Sequence, residues 1–132
     1  MTSVAKKMAV ASAFLGALTV VLGAFGAHGL ERIVDQEAIA SYQTGVRYQM
    51  YHVLLLLLLT VLPGLPDKIL RQLCWLFFGG IALFSGSIYL LALDQAMGVS
   101  LSFLGPVTPI GGLLLIAGWL RLGFGLLTIR RG

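Results

Sequence analysis

The sequence predicts an all-α integral membrane protein: a four-helix bundle with both termini inside and a short amphipathic helix in the first outer loop. Three observations predict it. First, 58% of the 132 residues are hydrophobic and only 11% are charged, with a mean hydropathy of +0.97. A soluble domain of this size exposes a large hydrated surface and carries about 25% charged residues. Second, the apolar residues gather into four long stretches. Third, the basic residues other than Arg121 fall in ones and twos at the flanks of those stretches, as membrane insertion requires. This composition argues against a soluble enzyme and a disordered tail. A single cysteine, Cys74, excludes a disulfide scaffold. The net charge of +4 does not indicate nucleic acid, because the bases fall in ones and twos with no stripe along a face.

The chain reads as one transmembrane domain, residues 1–132. The first span covers about residues 8–27, long enough for ~30 Å of hydrocarbon at ~1.5 Å per residue. Lys6-Lys7, the apolar core and the small residues after it resemble a signal peptide. The core is too long for one, and three further apolar stretches follow, so the helix is expected to be retained. The second span covers about residues 48–65 and contains the run Leu54–Leu59. Pro63-Gly64-Leu65-Pro66 breaks it, and Asp67 is placed to cap the third, about residues 70–93. In the fourth, residues 109–128, Thr108 can act as N-cap and Pro109 as the first helical residue. Alternatively the chain enters the membrane near Leu101, through the irregular Gly105–Pro109 segment.

The distribution of charge orients the bundle. Lys6, Lys7, Lys68, Arg71, Arg121, Arg130 and Arg131 fall on one side, and Arg32 and Arg47 on the other. The first side is therefore inside, and both termini are cytoplasmic. Four of the five acids, Glu31, Asp35, Glu37 and Asp94, lie outside. In the first outer loop Leu30, Val34, Ala38, Tyr42 and Val46 recur every four residues. With Asp35 as cap and Gly45 as terminator, they predict a short helix lying on the outer face.

Small residues line three spans: Gly16, Ala17, Gly23 and Ala24 in the first; Gly79, Ala82 and Gly86 in the third; Gly111, Gly112 and Gly118 in the fourth. They allow close backbone approach, either within the bundle or between copies.

Polar groups in hydrocarbon are costly unless partnered. His28 follows the first span. His52 lies in the second with Tyr48 and Gln49 on the same face, and both histidines are expected in the outer leaflet. Together they read either as a site for a metal, a haem axial pair or a proton relay, or as hydrogen-bonding clamps. Ser85 and Tyr89 share a face of the third span. A nucleophilic serine is unsupported, since no G-x-S-x-G elbow is present. Serines in such helices bond back to their own carbonyls or across to a neighbour. Asp94 either pairs with Arg47 or sits in water. Arg121 is placed to snorkel to the inner face, and Trp75 and Trp119 to anchor there. Cys74 reads as inert packing.

Read together, Gly23-Ala24-Phe25-Gly26-Ala27-His28-Gly29-Leu30, Tyr48-Gln49-Met50-Tyr51-His52, Phe84-Ser85-Gly86-Ser87-Ile88-Tyr89 and Gly105-Pro106-Val107-Thr108-Pro109 resemble the YgdD/YwdK-like family of small bacterial membrane proteins. The resemblance covers nearly the whole chain. It implies four helices in the bacterial inner membrane and supplies no reaction, substrate or cofactor. The reading it leaves is a non-enzymatic accessory or assembly factor, self-associating or docking a membrane partner. Its polar outer-leaflet cluster comprises His28, Tyr48, Gln49, His52, Ser85, Tyr89 and Thr108. The alternative is a binder of a quinone, haem or lipid at those residues.

Overall fold

The computed structural model describes residues 1–129; Arg130 and Arg131, which enter the charge count above, lie outside the described residues. Four helices follow one another: α1 (Ser3–His28), α2 (Gln36–Leu59), α3 (Asp67–Leu93) and α4 (Val107–Leu127). Short 3-10 turns, Leu30–Arg32 and Ser102–Leu104, precede α2 and α4. Successive helices are antiparallel, as their contacts require: Gly26 meets Tyr42 and Gly16 meets Val53, while Gly111 meets Phe84 and Gly118 meets Phe77. α3 packs against both α2 and α4 and more lightly against α1. One end of the bundle carries Lys6, Lys7, Lys68 and Arg71; the other carries Glu31, Asp35, Glu37 and Asp94. They are called the basic and acidic ends below.

Three segments, Ser3–His28, Asp67–Leu93 and Ser102–Leu127, are long and apolar enough to cross a membrane. α2 differs. It is one continuous helix from Gln36 to Leu59, so the separate loop helix expected at its start does not exist. Asp35 does cap it, its carboxylate accepting from Ala38 N–H at 2.8 Å. Gly45 does not end it. A helix already nucleated by that cap adds a hydrogen bond for each further residue it fixes, so one glycine does not stop it. The leucine run shows the helical period: Leu55, Leu56 and Leu59 are buried while Leu54 and Leu58 are exposed. α2 stops at Leu59, short of the expected Leu65, with the Thr60 hydroxyl donating to the Leu57 carbonyl at 2.7 Å.

Two other predicted caps are replaced. Asp67 is the first residue of α3 and Pro66 precedes it as the cap, without a side-chain bond. The Asp67 carboxylate instead accepts from the Thr2 hydroxyl at 2.9 Å, and the same Thr2 oxygen caps α1 by accepting from Ala5 N–H at 3.1 Å. α4 begins at Val107, so Thr108 lies inside its first turn. Pro109 fits there because the first-turn N–H groups have no intrahelical acceptor. Asp94 closes its own loop by accepting from Leu101 N–H at 3.3 Å.

The interior has three layers. At the basic end Met8, Leu56, Leu59, Leu73, Phe77 and Leu122 form an apolar cluster. At the acidic end Leu30, Ile39, Tyr42 and Ala92 form a second. Between them lie the buried polar side chains Thr19, Gln49, His52, Ser85 and Ser87. Lipid is as apolar as leucine, so helix association in a membrane rests on close packing and on such polar groups.

Candidate functional site

The polar layer is built by hydrogen bonds between helices, oriented by back-bonds within them. Its longest chain starts at a backbone carbonyl. The Thr19 hydroxyl donates to the Leu15 carbonyl at 2.7 Å, a back-bond along α1. Its one proton is thereby spent, so toward Gln49 it can only accept, and Gln49 Nε2 donates to it at 2.7 Å. That turns Gln49 Oε1 the other way, where the Tyr89 hydroxyl donates to it at 2.7 Å. One carbonyl thus sets the direction of a chain through α1, α2 and α3.

Other bonds reinforce the layer. Ser85 Oγ donates to the Gly45 carbonyl at 2.7 Å, and Tyr42 donates to the Leu22 carbonyl at 2.7 Å. The Tyr42 and Tyr89 rings lie 5.1 Å apart. Gly45 makes this possible: a Cβ there would fall 2.8 Å from Tyr89 Cε1. On the α4 side Ser87 donates back to the Leu83 carbonyl, which leaves Thr108 to donate to Ser87 across 2.5 Å.

His52 holds a different position. It is 4% exposed. Val53 packs against Gly16 near the middle of α1, so His52 lies at mid-depth. Trp119 Nε1–H donates to His52 Nε2 at 3.0 Å. An indole only donates, so Nε2 offers its lone pair and the proton sits on Nδ1, 2.6 Å from the Tyr48 carbonyl. The imidazole is ringed by Phe77 at 5.6 Å, Trp119 at 6.0 Å and Tyr48 at 6.4 Å. Beside it, between α2 and α4, runs a groove of 370 Å³ lined by Thr44, Tyr48, His52, Phe84, Leu115 and Trp119, among others.

Six of the seven expected site residues fall in three places. Gln49, Ser85 and Tyr89 share the central network. Ser87, which was not among the expected site residues, ties Thr108 to α3. Tyr48 and His52 line the groove. His28 joins none of them: it is exposed in the last turn of α1, about twelve residues or ~18 Å from the level of His52. The paired-histidine site is not assembled, because α2 starts at Gln36 and carries His52 deeper than a span starting at Tyr48 would. Among the described residues no group of three or more His, Cys, Asp or Glu side chains is gathered to hold a metal. Trp119 is half exposed and turns its indole N–H inward to His52. Arg121 reaches Gln72 Oε1 at 2.8 Å.

Sequence reasoning missed Thr19, Tyr42 and Gly45 as members of the layer. A threonine within the uncharged first stretch was the available signal for Thr19. Nothing local distinguishes Tyr42 from a membrane-facing residue of the same stripe.

Residues 22–112 match the family model described as "Protein of unknown function (DUF423)". A UPF0382 membrane protein of Staphylococcus haemolyticus is 46% identical over 112 residues, covering 82% of this chain and 88% of the relative. The UPF0382 membrane protein YwdK of Bacillus subtilis is 43% identical, covering 80% and 83%. A UPF0382 membrane protein of Haemophilus influenzae is 37% identical, covering 86% and 87%. No solved structure matches.

Proposed function

The chain belongs to the DUF423 family, YwdK-like membrane proteins of unknown function, and from that footing we propose that it is a non-enzymatic accessory or assembly factor. One observation carries this reading. Gln49, Ser85, Ser87, Tyr89 and Thr108 spend their hydrogen bonds on a neighbouring helix or on backbone. Among the described residues no buried side-chain nitrogen or oxygen is left without a partner. A reactive site keeps a nucleophile or an acid–base pair free to meet its substrate. Here the same residue types hold helices together, and the acidic end is left to dock a membrane partner or a second copy.

The proposed placement is four spans in the inner membrane with both termini cytoplasmic. Lys6, Lys7, Lys68, Arg71 and Arg121 support it by marking one side under the positive-inside rule. α2, 24 residues long, crosses as a whole, with Gln49 bonded to α1 and α3 and His52 to α4.

A second reading is favoured by the groove between α2 and α4: a binder of a small hydrophobic ligand. Its 370 Å³ lies in the range of ligand sites, and its apolar walls carry the polar edges of Tyr48 and His52. Of a quinone, a haem and a lipid, haem fits worst. Iron would have to displace the Trp119 N–H from His52 Nε2, and His28 lies too far away to provide a second axial ligand.

Native mass spectrometry from mild detergent tests both readings. The accessory reading expects a bound protein partner or a second copy. The ligand reading expects a small-molecule mass that is lost in Tyr48→Ala or Trp119→Ala. Ligand-free monomer throughout would overturn both.

A further inference from the structure

At the basic end, α1 and α3 start side by side, clasped by the Thr2–Asp67 hydrogen bond. Just above that clasp they flank an open hollow of 420 Å³. Residues Ser3, Lys7 and Ala11 recur every four positions along the α1 wall, and Asp67, Arg71 and Trp75 do the same along α3. The hollow therefore changes character with depth. Lys7 and Arg71, both exposed, stand toward the helix starts, while Ala11, Cys74 and Phe78 lie about one to two turns further along, with Met8 buried behind them. Trp75, 82% exposed, forms a flat outer wall, in keeping with the preference of tryptophan for the headgroup level. The charge at this end is one-sided. Lys6, Lys7, Lys68 and Arg71 face a single acid, Asp67, whose carboxylate is engaged by the Thr2 hydroxyl. The N-terminal dipoles of α1 and α3 add further positive potential.

We propose that this hollow binds one anionic phospholipid, its phosphate between Lys7 and Arg71 and one acyl chain along Ala11, Cys74 and Phe78. A free phosphate uses only the mouth, and a zwitterionic lipid gains nothing from the excess of positive charge; an anionic lipid satisfies both parts. Basic recesses between membrane helices have this chemistry in general. The site lies at the opposite end of the bundle from the docking surface proposed above and does not depend on that reading.

The test uses Trp75 as reporter. Of the two tryptophans, Trp119→Phe removes the other. The full-length variant is reconstituted in phosphatidylcholine vesicles containing a small fraction of phosphatidylglycerol or phosphatidylcholine with brominated acyl chains. Two basic contacts are expected to favour the anionic headgroup by about thirtyfold, so brominated phosphatidylglycerol quenches Trp75 far more strongly at equal mole fraction. Lys7→Gln with Arg71→Gln removes that preference, while Lys7→Arg with Arg71→Lys keeps it. Should the neutral pair fail to fold, raised salt in the parent protein serves instead and reduces the preference by screening. Equal quenching by the two lipids overturns the proposal. So does a preference abolished by millimolar inorganic phosphate, which would assign the mouth to a free anion.

Discussion

The Tyr89 hydroxyl donates to Gln49 Oε1 at 2.7 Å, joining side chains forty residues apart at the centre of the bundle. Because the Thr19–Leu15 bond fixes the far end, Gln49 has one orientation in which both ends of its amide are satisfied. Gln49→Leu should therefore destabilise the protein by about 1–2 kcal/mol in thermal unfolding in detergent, since Tyr89 loses its acceptor in a buried site. Adding Tyr89→Phe to it should cost less than the sum of the two single changes, because the second substitution removes the orphaned hydroxyl. Strict additivity in that cycle would show that the chain is not coupled.

Gly45 and Gly86 make a matched pair. A methyl at Gly45 meets the Tyr89 ring, which cannot retreat because Tyr42 backs it and Gln49 holds its hydroxyl. Gly45→Ala should lower stability by about 1–3 kcal/mol. Nothing lies within 4 Å of a Cβ at Gly86, so Gly86→Ala should be neutral or stabilising by up to about 1 kcal/mol, the helix-propensity difference. Comparison of melting temperatures checks both.

Trp119 guards the one free lone pair of His52. Diethyl pyrocarbonate treatment followed by peptide mass spectrometry should modify exposed His28 in the parent protein and leave His52 protected. In Trp119→Phe the indole N–H is gone, and His52 Nε2 opens to the groove. Modification of His52 should then rise severalfold with His28 unchanged. Equal reactivity of His52 in both proteins would mean that the indole bond does not persist.

Thr2 serves two helices with one oxygen. Thr2→Ala removes the α1 cap and frees Asp67, and should cost about 1 kcal/mol; Thr2→Ser should restore it. Thermal unfolding of the three proteins side by side is the measurement.

Orientation is open to chemical labelling. With Cys74→Ser as background, an impermeant maleimide added to intact cells should label Ser41→Cys and spare Ser3→Cys. The reverse pattern would invert the proposed topology.

Much of this protein is decided by sequence alone. A charge fraction of 11% cannot solvate a surface, so the class follows from composition. The Pro63–Pro66 break and the Asp35 cap are local signals, and each acts where it stands because its physics involves only neighbouring residues. The tertiary structure decided what depends on a partner distant in sequence. Gly45 has the composition of a helix stop and the position of a ring's resting place; only the approach of Tyr89 distinguishes them. Asp67 looks like a cap until Thr2, sixty-five residues earlier, is placed beside it. The two histidines seem to share a leaflet until the start of α2 is known, and moving that start from Tyr48 to Gln36 separates them by about three helical turns. A buried polar group is stabilised by whichever partner the packing brings to it. That is why Thr19, Gln49 and Tyr89 are legible one by one as polar residues in an apolar chain, and become a network only once three helices are packed together.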